Sequence, residues 1–199
     1  MPLSPLARLW LELRRTRLAI LISSSLAVLM FVVVYENRLA QLAALAKVNH
    51  LESIPDAQLT GYDPGWFLAY ASKLTPAGRE YYIHSILMLD LIFPVVYGMW
   101  FMAALSFAYS ALGPLYLRFR FVALVPLLAV MFDYVENLLL FQLMSDFPNS
   151  LSDQKIDIAS VCTQLKWFTI LLSFVAIFVG IVTSIRYVRK TRPSHYRPQ

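Results

Sequence analysis

The sequence predicts an all-α membrane protein, a bundle of four transmembrane helices with a helical extracytoplasmic cap between the first two. Hydrophobic residues make up 59% of the 199-residue chain and charged residues only 15%, a balance outside the range of soluble domains. Four apolar runs are each long enough to cross about 30 Å of hydrocarbon. Basic residues collect at alternate ends of these runs, as the positive-inside rule requires. We expect a single membrane domain over residues 1–199.

The first predicted span covers residues 18–35, after four arginines at positions 8, 14, 15 and 17. Eighteen helical residues rise about 27 Å, so the run crosses a bilayer with help from its flanks. A signal peptide is the competing interpretation. Its apolar region would be about 7 to 15 residues long and would precede a small-x-small cleavage site, and this run fits neither feature.

A helical cap is predicted over residues 36–82, lying on the outer membrane surface. Asp63-Pro64 and Thr75-Pro76 each pair an N-cap residue with a proline suited to the first helical position. Pro55 ends any continuation of the first helix. The segment also carries the aromatic side chains that are typical of a membrane interface: Trp66, Phe67, Tyr70, Tyr81 and Tyr82.

The second predicted span, 83–111, places Asp90, Pro94 and Tyr97 on one helical face, at spacings of four and three residues. Proline has no N–H, so it leaves the carbonyl near position 90 without its helical donor. Inside a bilayer that carbonyl needs a neighbouring donor or a water. The pattern therefore predicts a kink beside a buried acid.

The third and fourth predicted spans cover residues 119–144 and 161–185. Asp133, Glu136 and Asn137 stand three and four residues apart in the third span, so they share one helical face. Each ionisable side chain at mid-membrane costs about 2.5 to 3.5 kcal/mol on insertion scales, so this face needs partners. Lys166 lies near the start of the fourth span. The basic, proline-rich tail, 189–199, is predicted to be disordered.

Eleven of the 17 Lys and Arg residues lie in the N-terminal arm, the Gly113 loop and the C-terminal tail. The positive-inside rule then places both termini in the cytoplasm of a multi-pass protein in an inner or plasma membrane. The net charge of +5 comes mainly from these flanks, which attract anionic lipid head groups. We expect membrane lipids as partners and no nucleic acid, and the sequence leaves a homo-oligomer open.

This topology puts Asp90, Glu136 and Lys166 at nearly the same depth, roughly 8 to 12 Å below the outer ends of their helices. Asp133 lies one turn deeper. We therefore expect a funnel open to the outside in which Lys166 pairs with Asp90 or Glu136, with Asp133 the poorer partner. Three buried acids and one base would leave an excess of negative charge. We expect a proton on a carboxyl group or a bound cation to reduce that charge.

These residues predict a pocket in the outer half of the bilayer that binds or processes a lipid or a small amphiphile. Asp133 and Glu136 are the acid/base candidates, and Lys166 is the counter-ion or head-group binder. Asp90 completes the binding set, with Tyr97 and Asn137 as orienting partners. Whether the protein is an enzyme stays open.

Two other functions remain open at this stage. The polar groups could be interhelical hydrogen-bonding partners in a noncatalytic scaffold or assembly partner, or they could carry protons or cations. A metal-dependent site is the weakest alternative, because no His-x-x-x-His or Glu-x-x-His motif is present. We predict no cofactor and no metal.

The chain carries a series of short motifs in this order: Gly78-Arg79, Tyr82, Leu89-Asp90, Phe93-Pro94, Tyr97, Phe132-Asp133, Glu136-Asn137, Thr163 and Lys166. With these motifs the chain resembles uncharacterised four-span integral membrane proteins that share Leu-Asp-x-x-Phe-Pro-x-x-Tyr and Phe-Asp-x-x-Glu-Asn. The resemblance covers about residues 61–166. It implies a four-span helical fold and no particular activity.

Overall fold

A computed structural model describes residues 5–46, 54–112 and 121–191, and all regular secondary structure in these ranges is helical. The elements are α1 (Pro5–Ala46), a 3₁₀ turn (Pro55–Ala57), α2 (Pro64–Lys73), α3 (Pro76–Tyr81), a π turn (Tyr82–Ile86), α4 (Leu87–Leu89), α5 (Phe93–Ala108), α6 (Leu124–Asp146) and α7 (Asp153–Thr191). The Gly113 loop and the tail from residue 192 lie outside the described residues. Residues 189–191, predicted to be disordered, are the end of α7.

Four segments of the described chain are long and apolar enough to cross a membrane: Arg15–Leu45, Pro76–Leu112, Phe121–Asp146 and Asp153–Lys190. They include nearly all of each predicted span, and most extend well beyond it. α7 has 39 residues, so it is about 58 Å long against about 30 Å of hydrocarbon. The helices extend beyond their apolar runs because the backbone hydrogen bonds of a helix form within the helix itself, whatever the polarity of its side chains.

The segment between the first two long helical segments is shorter than the 36–82 predicted for the cap. Residues 36–46 continue α1, and residues from Pro76 onward belong to the second long segment. We call residues 54–75 the connecting segment. Its helix α2 begins as predicted, because Asp63 Oδ1 accepts the Trp66 N–H at 2.7 Å. Thr75 likewise caps α3, accepting the Gly78 N–H at 3.1 Å.

The connecting segment packs on one end of the bundle. Its side chains join a buried cluster that includes Leu42 of α1, Phe67 of α2, Leu140 of α6 and Ile156 of α7. Before α2 the chain turns at Gly61, whose φ of 79° lies in the left-handed region that glycine adopts without strain. A Cβ at position 61 would lie 2.7 Å from Ser160 Oγ, so only glycine permits this close approach to α7.

The second long segment is broken beside Asp90, as the sequence predicts. α4 ends at Leu89 and α5 begins at Phe93, with Pro94 in its first turn. Asn137 Nδ2 donates to the freed carbonyl of Asp90 at 3.1 Å, and the Tyr134 hydroxyl donates to the carbonyl of Leu91 at 2.7 Å. The helix is interrupted at the place where the kink was predicted, and α6 supplies the replacement donors. The π turn at Tyr82–Ile86 was not predicted.

The bundle combines an apolar exterior with buried ionisable groups, an arrangement that a soluble protein rarely shows. Large apolar side chains cover the exterior, with Phe178 68% exposed and Met30 62% exposed. Four ionisable side chains of the described residues are buried: Asp90, Asp133, Glu136 and Lys166, of which the last two are 0% and 2% exposed. Because ionisable groups are almost never fully buried without partners, the interior of this bundle must neutralise them.

Candidate functional site

The Lys166 ammonium on α7 is the centre of the site. Its Nζ lies 2.7 Å from Glu136 Oε2 and 3.9 Å from Asp133 Oδ1, both on α6, and it also binds Asp56 Oδ1. Lys166 was expected to pair with Asp90 or Glu136, and of these two it pairs with Glu136; Asp133 is the more distant partner, as expected. Within the described residues no ion pair joins Lys166 to Asp90.

Asp56 is the residue of the candidate site that sequence analysis missed. It lies in the 3₁₀ turn, where its carboxylate binds Lys166 and its carbonyl accepts Lys166 Nζ at 3.3 Å and Trp167 Nε1 at 3.0 Å. An aspartate after Pro55 is ordinary helix-start chemistry, so local spacing does not distinguish it. Its contacts span about 110 positions of the chain and only the fold reveals them.

Glu136 lies behind the ammonium and is fully buried. Its Oε1 accepts the Thr163 hydroxyl at 2.6 Å, and its Oε2 faces Lys166. One carboxylate oxygen therefore has a hydrogen-bond donor on α7, and the other has an ion-pair contact with α7 and no hydrogen bond in the described chain. Through these two contacts Glu136 links α6 to α7.

Asp133 is held from two sides. Its Oδ2 accepts the Tyr97 hydroxyl at 2.8 Å, and its Oδ1 accepts Asn137 Nδ2 at 3.0 Å. Asn137 Nδ2 also reaches the Asp90 carbonyl. Tyr97 and Asn137 thus orient Asp133 as predicted, and Asn137 links it to the helix break.

Asp90 is the acid of the site for which the described residues show no ion pair with Lys166. It is 3% exposed, and its Oδ2 has no hydrogen-bond partner in the described part of the chain. Asn137 Oδ1 is likewise unpartnered there. A buried acceptor without a donor costs about 1 to 3 kcal/mol, and more when it is charged. Asp90 Oδ2 is therefore a buried acceptor that can receive a further hydrogen bond.

Four tyrosine hydroxyls near this end of the bundle are also buried without a partner in the described chain: those of Tyr35, Tyr62, Tyr70 and Tyr82. Burial raises the pKa of Tyr62 and Tyr70, and the negative charge of Glu136 adds to the effect at Tyr62. These two hydroxyls therefore stay protonated and available as donors. The rings of Tyr70 and Tyr82 meet edge to face, with centroids 6.2 Å apart.

A cavity of about 250 Å³, which we call the pocket, lies beside the charged groups. Its lining combines apolar and aromatic residues of α1, α5 and α7 with four charged groups: Val28, Phe93, Tyr97, Trp100, Phe101, Trp167, Ile170 and Phe174, with Asp56, Asp90, Asp133 and Lys166. Of the predicted site residues, Glu136 and Asn137 are not among the lining residues. They lie behind the lining residues, where Glu136 pairs with Lys166 and Asn137 donates a hydrogen bond to Asp133.

Carboxylate oxygens of Asp56, Asp133 and Glu136 lie within 4.8 Å of one another, close enough to share a cation. The Lys166 ammonium contacts all three residues and so takes the place that a metal ion would occupy. A divalent cation would bind there only by displacing a buried lysine.

No protein-family model, curated protein or solved structure matches this chain. Function must therefore be argued from the chemistry of the site.

The Lys166–Glu136 pair can be tested with a double-mutant cycle. We expect Lys166→Met to lower the free energy of unfolding by about 3 to 5 kcal/mol, because it leaves buried carboxylates without their counter-charge. Adding Glu136→Gln should recover part of that loss, since groups in contact depart from additivity. The measurement is unfolding of all variants in one detergent.

The matched control for this cycle is Asp90→Asn combined with Lys166→Met. Asp90 makes no ion pair with Lys166, so its coupling energy should be the smaller of the two. Strict additivity of Lys166→Met with Glu136→Gln would show that the pair contributes no stability.

Proposed function

We propose that this protein is an integral membrane protein that crosses the bilayer four times and binds a lipid or small amphiphile in the pocket. Both termini would lie in the cytoplasm, where the basic flanks favour them. The connecting segment would then form an extracytoplasmic cap, and the pocket would lie in the outer half of the bilayer. An inner or plasma membrane is the expected location.

The exterior of the bundle supports membrane insertion. Four helical segments of the described chain have the required length and hydropathy. Exposed side chains such as Met30, Phe174 and Phe178 would cost free energy in water and none in lipid. Buried ionisable groups that face the bundle interior are the expected arrangement for a membrane protein with a functional site.

The pocket is the observation that carries the proposed ligand class. Aromatic and aliphatic side chains of three helices form most of its lining, and four charged groups from the connecting segment, α5, α6 and α7 complete it. Ligand sites are generally concave and mostly apolar, with a few placed polar groups. An amphiphile matches both parts, since its chain can pack on Phe101 and Phe174 while its head meets Asp90 and Asp133.

Any chemistry on the ligand would involve Asp133 before Glu136. Asp133 lines the pocket, and Tyr97 and Asn137 hold its carboxylate in a fixed orientation. Glu136 is covered by Lys166 and Thr163. The acid/base role of Asp133 therefore stays a prediction with geometric support, and Glu136 is better suited to positioning Lys166.

The rival function is a noncatalytic scaffold whose buried polar groups only join helices. This accounts for Tyr134 and Asn137, which donate to backbone carbonyls across the helix break. It leaves unexplained a cavity whose lining includes a buried carboxylate with an unpartnered oxygen, that of Asp90. We therefore favour ligand binding.

Filling the pocket should remove the ligand. Ile170 lines the pocket, whereas its neighbour Leu171 is 59% exposed on the outside of α7. We expect Ile170→Trp to reduce co-purifying lipid or amphiphile at least tenfold and Leu171→Trp to leave it unchanged. The measurement is mass spectrometry of the organic extract from each purified protein. Equal lipid content in both variants and the wild type would contradict pocket binding.

Membrane orientation can be measured by labelling single cysteines in a Cys162→Ala background. Asp63, Asp153 and Arg189 are exposed and lie outside the apolar runs. A membrane-impermeant thiol reagent added from outside should label Asp63→Cys and Asp153→Cys in intact cells but label Arg189→Cys only after lysis. Labelling of Arg189→Cys before lysis would reject the proposed topology.

A further inference from the structure

Building on the proposed function, we infer that the pocket selects an amphiphile with a cationic amine head group and that the Asp90 carboxylate accepts its hydrogen bond or ion pair. The head group would lie beside Asp90 and Asp133, and the chain would extend along the aromatic walls.

The positive charge of Lys166 is already compensated by carboxylates of the protein. An ammonium has three N–H donors. Two of them bind Asp56, through its Oδ1 and through its carbonyl at 3.3 Å, and the ammonium also forms an ion pair with Glu136 Oε2 at 2.7 Å. A phosphate or carboxylate would have to break these contacts. The head-group role expected for Lys166 is therefore replaced by its role as counter-ion to the protein's own acids.

Asp90 gives the pocket a hydrogen-bond acceptor. Lys166 cannot do so, because an ammonium has only donors. The Asp90 side chain lines the pocket, is 97% buried, and has an oxygen with no partner in the described chain. A ligand N–H placed there would remove the cost of an unpartnered buried oxygen and form a charge-assisted bond. An anionic ligand would bring a further acceptor beside an oxygen that itself lacks a donor.

The charge of the site also favours a cation. Four carboxylates (Asp56, Asp90, Asp133 and Glu136) lie around one ammonium, and Asp90 interacts electrostatically with all four of the other groups. A positive head group reduces this imbalance, while a negative one increases it, and both effects are strong where water is excluded.

The aromatic walls suit the same ligand class. Trp100 and Phe101 have ring centroids 4.9 Å apart, and those of Phe101 and Phe174 are 5.0 Å apart. Ring faces attract cations within about 6 Å and also pack against alkyl chains. The cavity of about 250 Å³ is slightly below the usual range of about 300 to 1,000 Å³ for ligand pockets. It therefore fits a head group and the first part of one chain.

The test uses the full-length protein in a neutral maltoside detergent, with dodecylamine, dodecyl phosphate and methylamine as probes. Binding is followed by tryptophan fluorescence, since Trp100 and Trp167 line the pocket. We expect dodecylamine to bind the wild type at least tenfold more tightly than either other probe. Asp90→Asn should weaken dodecylamine binding tenfold or more. Asp157→Asn, which removes an equal charge from an exposed position on α7, should leave it unchanged.

The outcomes separate this inference from the proposed function. Tighter binding of dodecyl phosphate, or equal binding of the two amphiphiles with no effect of Asp90→Asn, overturns the cationic head group and leaves the pocket intact. Methylamine binding as tightly as dodecylamine shows a small-cation site and overturns the amphiphile class. Failure of every probe, with equal co-purifying lipid in Ile170→Trp and the wild type, rejects the proposed function itself. If Asp90→Asn does not fold, the comparison of amine with phosphate in the wild type decides the question.

Discussion

The ammonium of Lys166 is the constraint on which the rest of the structure depends. A lysine in an apolar interior is tolerated only when nearby acceptors compensate its lost hydration. Here they come from two places far apart in the chain, Asp56 before α2 and Glu136 with Asp133 on α6. The ion pairs that compensate this one buried charge therefore hold α6 against α7 and hold the connecting segment against the bundle.

The helix break beside Asp90 depends on the same region of α6. Pro94 denies the Asp90 carbonyl its helical donor, and Asn137 replaces that donor while also holding Asp133. Tyr134 caps the next carbonyl. One turn of α6 thus repairs the broken helix and orients a carboxylate of the pocket. Because these tasks share side chains, the polar groups of the site and the packing of the bundle are not separable.

Periodicity and capping rules predicted the helical class, the four long apolar segments, the N-caps at Asp63 and Thr75 and the kink near Asp90, because these are local properties. Comparing helix depths also limited the partners of Lys166 to Asp90 or Glu136. The choice between these two, and the contact with Asp56, depend on how distant segments pack. Local spacing carries no record of that packing, so neither could be predicted.

The most direct test is whether the Lys166 ammonium holds the connecting segment on the bundle, measured by hydrogen exchange in detergent with mass spectrometry. We compare Lys166→Met with Leu165→Met, its partly exposed neighbour on α7. Lys166→Met should accelerate amide exchange in the connecting segment at least tenfold more than in the interior of α6, and Leu165→Met should change neither. Unchanged protection of the connecting segment in Lys166→Met would contradict the claim that this buried charge organises the fold and its pocket.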